Sequence, residues 1–291
     1  MKPSRLWFGV LVVATSARLI WAEELQHATV KAWEICRKDS GKQMQERAEG
    51  LRPFLWIEES ADHAARLRSG EVLVAPAVEH GTTPVAHGLI HHWIGAIFIP
   101  SASIEGLLAV VHDYDDYQRI YRPVVASSKT LAFAGSSQDF QMVWERKILF
   151  VHAAMQANYH AHDVALDAHR GYSIAETSDV QEIEDYGHAG EHLLPAGTGN
   201  GFIWRIRSVA RYEERDGGVY LELEAFALTR DIPSSIAWMV RPMVNRLSIN
   251  SLTTTLRQTR DAVTLSRQSP RAPAGCPLPP ADPCRASPGR E

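Results

Sequence analysis

Apolar positions along the chain change period twice. Over residues 24–49, Leu25, Ala28, Ala32, Ile35 and Cys36 keep largely to three- and four-residue spacing, which predicts a helix with Gly50 at its stop. Asp39-Ser40-Gly41 is a candidate break within it. Pro53 opens a connector in which Phe54, Leu55 and Trp56 offer an apolar clip onto the rest of the molecule. From about residue 71 the helical period is lost. Residues 71–78 and 85–99 are rich in β-branched and aromatic side chains and read as strands. The second run, at about 3.3 Å per residue, would extend roughly 50 Å and must curve, with Gly88 and Gly95 as bending points. Pro100 ends it. Ser101 is the expected cap of a helix whose buried stripe is Ile104, Leu107, Leu108 and Val111.

The strand pattern then returns at residues 124–133, 140–150, 152–162, 172–185 and 202–213. Asp216-Gly217 is a strong two-residue hairpin signal leading to a strand over 219–228. If those two residues form the turn, Arg211 faces Glu222 across the ladder, a favourable pair. The same register gathers Phe202, Trp204, Ile206, Ser208, Ala210 and Tyr212 on one face with Leu221, Leu223, Ala225 and Ala227. Small residues in an otherwise apolar face leave two readings open, an unfilled space or a helix packed close. Arg205, Glu222 and Glu224 fall on the other face, where they are expected to form a solvated charge ladder.

Asp231 and Pro233 start the last helical region. Its stripe runs through Ile236, Met239, Val240, Met243, Val244 and Leu247, with Pro242 as a kink point, and continues through Leu252, Leu256, Thr259 and Val263. Beyond residue 265 the chain is rich in Pro, Arg, Ser and Ala and is expected to be disordered. The predicted organisation is a leader over 1–22, a helical extension and connector over 23–70, one domain over 71–265 and a tail over 266–291.

Composition narrows the function. A formal net charge of −4 argues against non-specific nucleic-acid binding, which needs a concentrated basic surface. No interior run reaches the roughly 18 apolar residues of a membrane span. Lys2 and Arg5 precede an apolar run from Leu6 to Ala14, and small residues follow at Thr15, Ser16, Ala17 and Ala22. This order predicts a secretory signal segment and a secreted or periplasmic protein. Cys276 and Cys284 are spaced to close a short disulfide loop in an oxidising compartment; three unpaired thiols are the alternative.

Candidate chemistry is sparse. Among 13 histidines, His160 and His162 share a strand face, and so do His87, His91 and Trp93, but pairs fall short of the converging ligands a metal needs. The acids of Asp113-Tyr114-Asp115-Asp116-Tyr117 sit in a turn that serves better to place Tyr117 and Tyr121 under the sheet than to do acid–base work. No serine or cysteine nucleophile pattern occurs. No catalytic set, metal or cofactor is predicted.

The order strand, helix, antiparallel strands, long C-terminal helix comes with particular words: GLIHHWIGAIFIP at 88–100, DYDDY at 113–117, YRP at 121–123, GFIWR at 201–205, GGVYLELEA at 217–225, LTRDIP at 228–233 and SLTTTLRQTR at 251–260. Together they resemble a bacterial branch of the START-like (SRPBCC) superfamily over roughly residues 71–265. The resemblance implies an α+β helix-grip fold, a curved antiparallel sheet wrapped around the C-terminal helix, with a cavity between them. Relatives carry apolar molecules there, and some are cyclases or hydrolases. The expected ligand is a mostly apolar, lipid-like small molecule, lined by Trp93, Tyr117, Tyr121, Phe202, Trp204, Ile206, Ser208, Tyr212, Met239 and Met243. The alternatives are an enzyme using His91, Arg205 or an inward acid in the same pocket, and an envelope interaction protein without a ligand.

Overall fold

The computed structural model describes residues 24–148, 151–232 and 234–268. Between residues 72 and 229 the alternating pattern builds one antiparallel sheet of ten strands. They are β1 (Val72–Pro76), β2 (Thr82–Val85), β3 (Gly88–Pro100), β4 (Val125–Ala134), β5 (Ser137–Ile148), β6 (Val151–Ala165), β7 (Arg170–Glu184), β8 (His192–Leu193), β9 (Arg205–Arg215) and β10 (Gly218–Thr229). The order across the sheet is β1-β3-β10-β9-β7-β6-β5-β4, with β2 also on β3 and the short β8 on β7. The last strand therefore lies beside β3, one of the first. Asp216 and Gly217 make the expected turn, both with positive φ (54° and 74°), and Arg211 does face Glu222.

Among the described residues five α-helices accompany the sheet: α1 (His27–Ala48), α2 (His63–Arg68), α3 (Ile104–Val111), α4 (Tyr117–Ile120) and α5 (Ser234–Gln268). α1 runs unbroken through Asp39-Ser40-Gly41, where Ser40 is buried and its hydroxyl lies 3.4 Å from Arg207 Nε. The cap of α3 is Ser103, not Ser101. Ser103 has the extended backbone a cap requires and accepts from the Gly106 N–H, whereas Ser101 sits at φ 58° and donates its N–H to Gly217. α5 continues to Gln268, past the expected limit at 265. Among the described residues no helix is long and apolar enough to cross a membrane. The predicted leader over 1–22 and both Cys276 and Cys284 lie outside the described residues.

Helices cover both faces of the central strands. On the outer face, Trp33 and Met44 of α1, Phe54, Leu55 and Ile57 of the connector and Leu67 of α2 pack against Ile90, Phe98, Val209, Tyr220, Phe226 and Leu228. On the helix face, Leu107 and Val110 of α3 and Leu256 and Val263 of α5 pack against Ile97, Ile99, Tyr212, Val219 and Leu221. This arrangement, an antiparallel sheet gripping a long C-terminal helix, is the helix-grip fold that the sequence predicts.

The outer face overturns one expectation. Glu222 and Arg211 lie there, but they are 0% and 1% exposed rather than solvated. The N-terminal extension seals them in. Arg211 Nε donates to Glu222 Oε2 (3.1 Å) and Nη1 to Glu224 Oε2 (2.7 Å), while the backbone N–H groups of Trp56 and Ile57 donate to the Glu222 carboxylate at 2.9 Å each. His92 Nε2 lies 2.6 Å from Glu224 Oε1. Burial would raise the Glu224 carboxyl, but the His92 hydrogen bond and the Arg211 charge outweigh it and hold it at about 2. Arg205, on the same face, donates to the Trp204 carbonyl.

Candidate functional site

The registers define a row that crosses the helix face. Trp93 pairs with Ala225, Ala225 with Ser208, Ser208 with Ala175, Ala175 with Ala161, and Ala161 with Gln138. Four small side chains thus lie between an indole and an amide. With strands about 4.8 Å apart, the row is roughly 24 Å from end to end. A neighbouring row carries His91, Ala227 and Ile206.

Burial along these strands runs against what their central position predicts. Val209, Arg211, Glu222, Phe226 and Leu228 are buried on the outer face. On the helix face Ala175, Ile206, Ser208, Ala210, Leu223, Ala225 and Ala227 all stay partly exposed. The reason lies in where α5 touches the sheet. Its Leu256 meets β3 so closely at Gly95 that a Cβ there would come within 2.9 Å of it. Leu252, Leu256, Thr259 and Val263 are buried over that end. Towards Ala225 and Ala227 the sheet carries short side chains, and water reaches them.

The two ends of the row differ. Beyond Gln138 stands an aromatic wall in which Tyr114 stacks on Phe140 (3.9 Å) and Phe140 on Tyr159 (4.8 Å), continuing edge-on through Tyr117 to Tyr121. The Tyr121 hydroxyl is 3.0 Å from Thr259 Oγ1 on α5. Gln138 Nε2 donates to Asp163 Oδ2 (2.8 Å), and His112 Nε2 lies 2.9 Å from that oxygen. Burial would raise the Asp163 carboxyl, but hydrogen bonds from His112, Ser173 and Gln138 hold it below its ordinary value. At the other end Trp93 lies over Gly81, so tightly that a Cβ there would overlap the indole, and Gly81 accordingly has φ 71°. His91 sits beside it with Nε2 3.1 Å from Thr229 Oγ1. Burial lowers the His91 imidazole to about 4, so it is neutral at pH 7.

The structure distributes the sequence-predicted residues unevenly. Trp93 and Ser208 lie on the row; Ile206 flanks it, and Phe202 clusters with Ile206, Tyr159 and Phe140. Tyr117 and Tyr121 belong to the aromatic wall, and Tyr212 packs in the cluster with Leu256 and Val263. Trp204 departs from its expected face: it precedes the first residue of β9, where alternation has not begun, and packs with the outer-face cluster of the N-terminal extension. Met243 is 41% exposed on α5. The Met239 side chain lies outside the described set. His91 and Arg205 are on opposite faces and do not share a pocket. Ala161, Ala175, Gln138 and Asp163 are absent from the sequence prediction; the signal for them is the pairing of β5, β6 and β7. An open concavity of about 650 Å³ flanks α3, between Ile104, Leu108, His112 and Glu214, and no residue of the row lines it. Among the described residues no group of histidine, cysteine or acidic side chains is placed to hold a metal ion.

No protein-family model matches the chain. No curated protein matches it either. Among solved structures it is similar to the STAR-related lipid transfer protein of Xanthomonas axonopodis, at 18% identity and a TM-score of 0.42, over 66% of this chain and 98% of that one. Human StAR-related lipid transfer protein 5 matches at 13% identity and a TM-score of 0.42, over 67% of this chain and 82% of that one. The Zhui aromatase/cyclase of a Streptomyces species matches at 11% identity and a TM-score of 0.41, over 64% and 99%. These overlaps are loose. The assignment of the helix-grip fold rests on the strand order and on α5 themselves.

Proposed function

We propose that this chain is an exported binding protein that carries a mostly apolar small molecule on the helix face of its sheet, lying along the row from Trp93 to Gln138. One observation carries the reading: Ala175, Ser208, Ala225 and Ala227, on central strands, are partly exposed, while on β9 and β10 the opposite face is buried under the N-terminal extension. A sheet that had only to fill its core would place larger side chains there. Apolar floors bounded by a few polar groups are what small-molecule sites are made of. The stacked cluster of Tyr114, Phe140 and Tyr159 closes the row at one end.

The chain purified from its own host, examined by native mass spectrometry and by solvent extraction, is expected to retain a small apolar molecule at stoichiometric level. Finding none, together with no thermal stabilisation by any lipid-like compound, would remove the carrier reading. Export is tested separately, by fractionation and by sequencing the N-terminus of the mature chain, which is expected to begin near Glu23.

A further inference from the structure

We infer that the Trp93 end of the row recognises a neutral hydroxyl group on the carried molecule, with His91 Nδ1 as the acceptor and Trp93 Nε1–H as the donor. The inference deepens the carrier reading and rests on it. Its first support is the tautomer that the hydrogen bonds favour. Thr229 Oγ1 donates its single proton to the Arg230 carbonyl at 3.0 Å. The same oxygen lies 3.1 Å from His91 Nε2, so in that contact the hydroxyl accepts and Nε2 carries the hydrogen. In the neutral ring Nδ1 is then a bare lone pair. Burial supports the neutral form, since it lowers the imidazole to about 4.

The second support is what these atoms lack. His91 Nδ1 and Trp93 Nε1 are both buried with no hydrogen-bond partner, on side chains only 7% and 5% exposed. Buried polar atoms are paired in folded proteins, so orphans of opposite kind point to a missing guest. The two residues are neighbours on one face of β3, across the ladder from Ala225 and Ala227, with the indole lying against Gly81 on the β2 side. An acceptor and a donor together fit a group that both gives and takes one hydrogen bond. A hydroxyl does this. A carboxylate has no proton for Nδ1, an ammonium cannot accept from the indole, and an ether oxygen serves the indole alone.

A buried water has the same chemistry, and ligand comparison separates the two sources. The full mature chain is loaded with Nile red, which is then displaced by dodecanol, by its methyl ether and by dodecanoate. Dodecanol is expected to displace the dye at about tenfold lower concentration than either analogue, the discrimination of a site built around hydrogen bonds. His91→Phe and Trp93→Phe, which keep a ring in place, are expected to lose that preference and to bind the ether as the wild type does. Equal displacement by dodecanol and the ether would mean that water alone occupies these atoms, and tightest binding of dodecanoate would mean an anion site. Either result overturns the inference and leaves the carrier reading standing. Failure of Nile red and all three compounds to bind would overturn both.

Discussion

β9 and β10 present two faces made from alternating residues of the same strands. Outwards, Val209, Arg211, Tyr220, Glu222, Phe226 and Leu228 are closed off by α1, α2 and the connector between them. Inwards, Ser208, Ala210, Leu223, Ala225 and Ala227 are reached by water, and of these Ala210 and Leu223 pack against the cluster of α3 and α5. The outer face holds the large aromatic and aliphatic groups and an ion-pair network whose carboxylates find donors in side chains and backbone. The inner face has short side chains at Ser208, Ala210, Ala225 and Ala227. The difference teaches how a single sheet leaves room for a guest: stability is concentrated on the side that the N-terminal extension covers, and the other side need not be filled.

The comparison breaks most visibly at Arg211. Arg211→Met leaves Glu222 buried without its guanidinium, and removing one partner of such a pair is expected to cost about 3–5 kcal/mol in urea unfolding. A cost under about 1 kcal/mol would show that the outer face is not sealed. Phe226→Ala, a large-to-small change in the same packed layer, is expected to cost about 3–4 kcal/mol.

A smaller effect comes from His91 on the inner face. Its unfolded-state value is 6.5 and its folded value about 4, so between those limits the unfolded chain binds the extra proton. Stability is therefore expected to be flat in this contribution above pH 6.5 and to fall by roughly 3 kcal/mol as pH drops to 4. Urea titrations of the wild type and His91→Phe across that range should differ by this slope. Parallel profiles would place His91 in water.

The smallest expected change is in stability and the largest in binding. Ala225→Leu adds three carbons on the row; in a solid core it would cost about 1–3 kcal/mol by overpacking. Over open space it is expected to change stability by less than about 0.5 kcal/mol and to abolish Nile red binding.

Much of this architecture was legible in the chain. Asp216-Gly217 specified the last hairpin, and with it the Arg211–Glu222 register and the faces of β9 and β10, because a two-residue turn leaves no freedom of slip. The stripe Leu252, Leu256, Thr259 and Val263 identified the part of α5 that is buried. Less legible were features that depend on distant segments. Nothing local to Glu222 shows that Trp56 and Ile57, more than 160 positions earlier, will donate to it. Trp204 was misplaced because alternation was extended one residue beyond the strand. Met243 kept helical spacing with buried residues yet is exposed, because spacing alone does not say how far along its length a helix is covered. Gln138, Ala161 and Ala175 join Ser208 on one row only through the pairings β5–β6, β6–β7 and β7–β9, which periodicity within one strand does not reveal.

Thiol reactivity at adjacent positions of β9 tests most directly whether the helix face of the sheet is open. In a background with Cys36, Cys276 and Cys284 replaced by serine, Ser208→Cys and Val209→Cys are near-isosteric probes of the two faces. Reaction with N-ethylmaleimide under native conditions is expected to be fast at 208, slowed by dodecanol, and limited by global unfolding at 209. Unfolding-limited reaction at both positions would mean that the helix face is packed as tightly as the outer one, and would contradict the account.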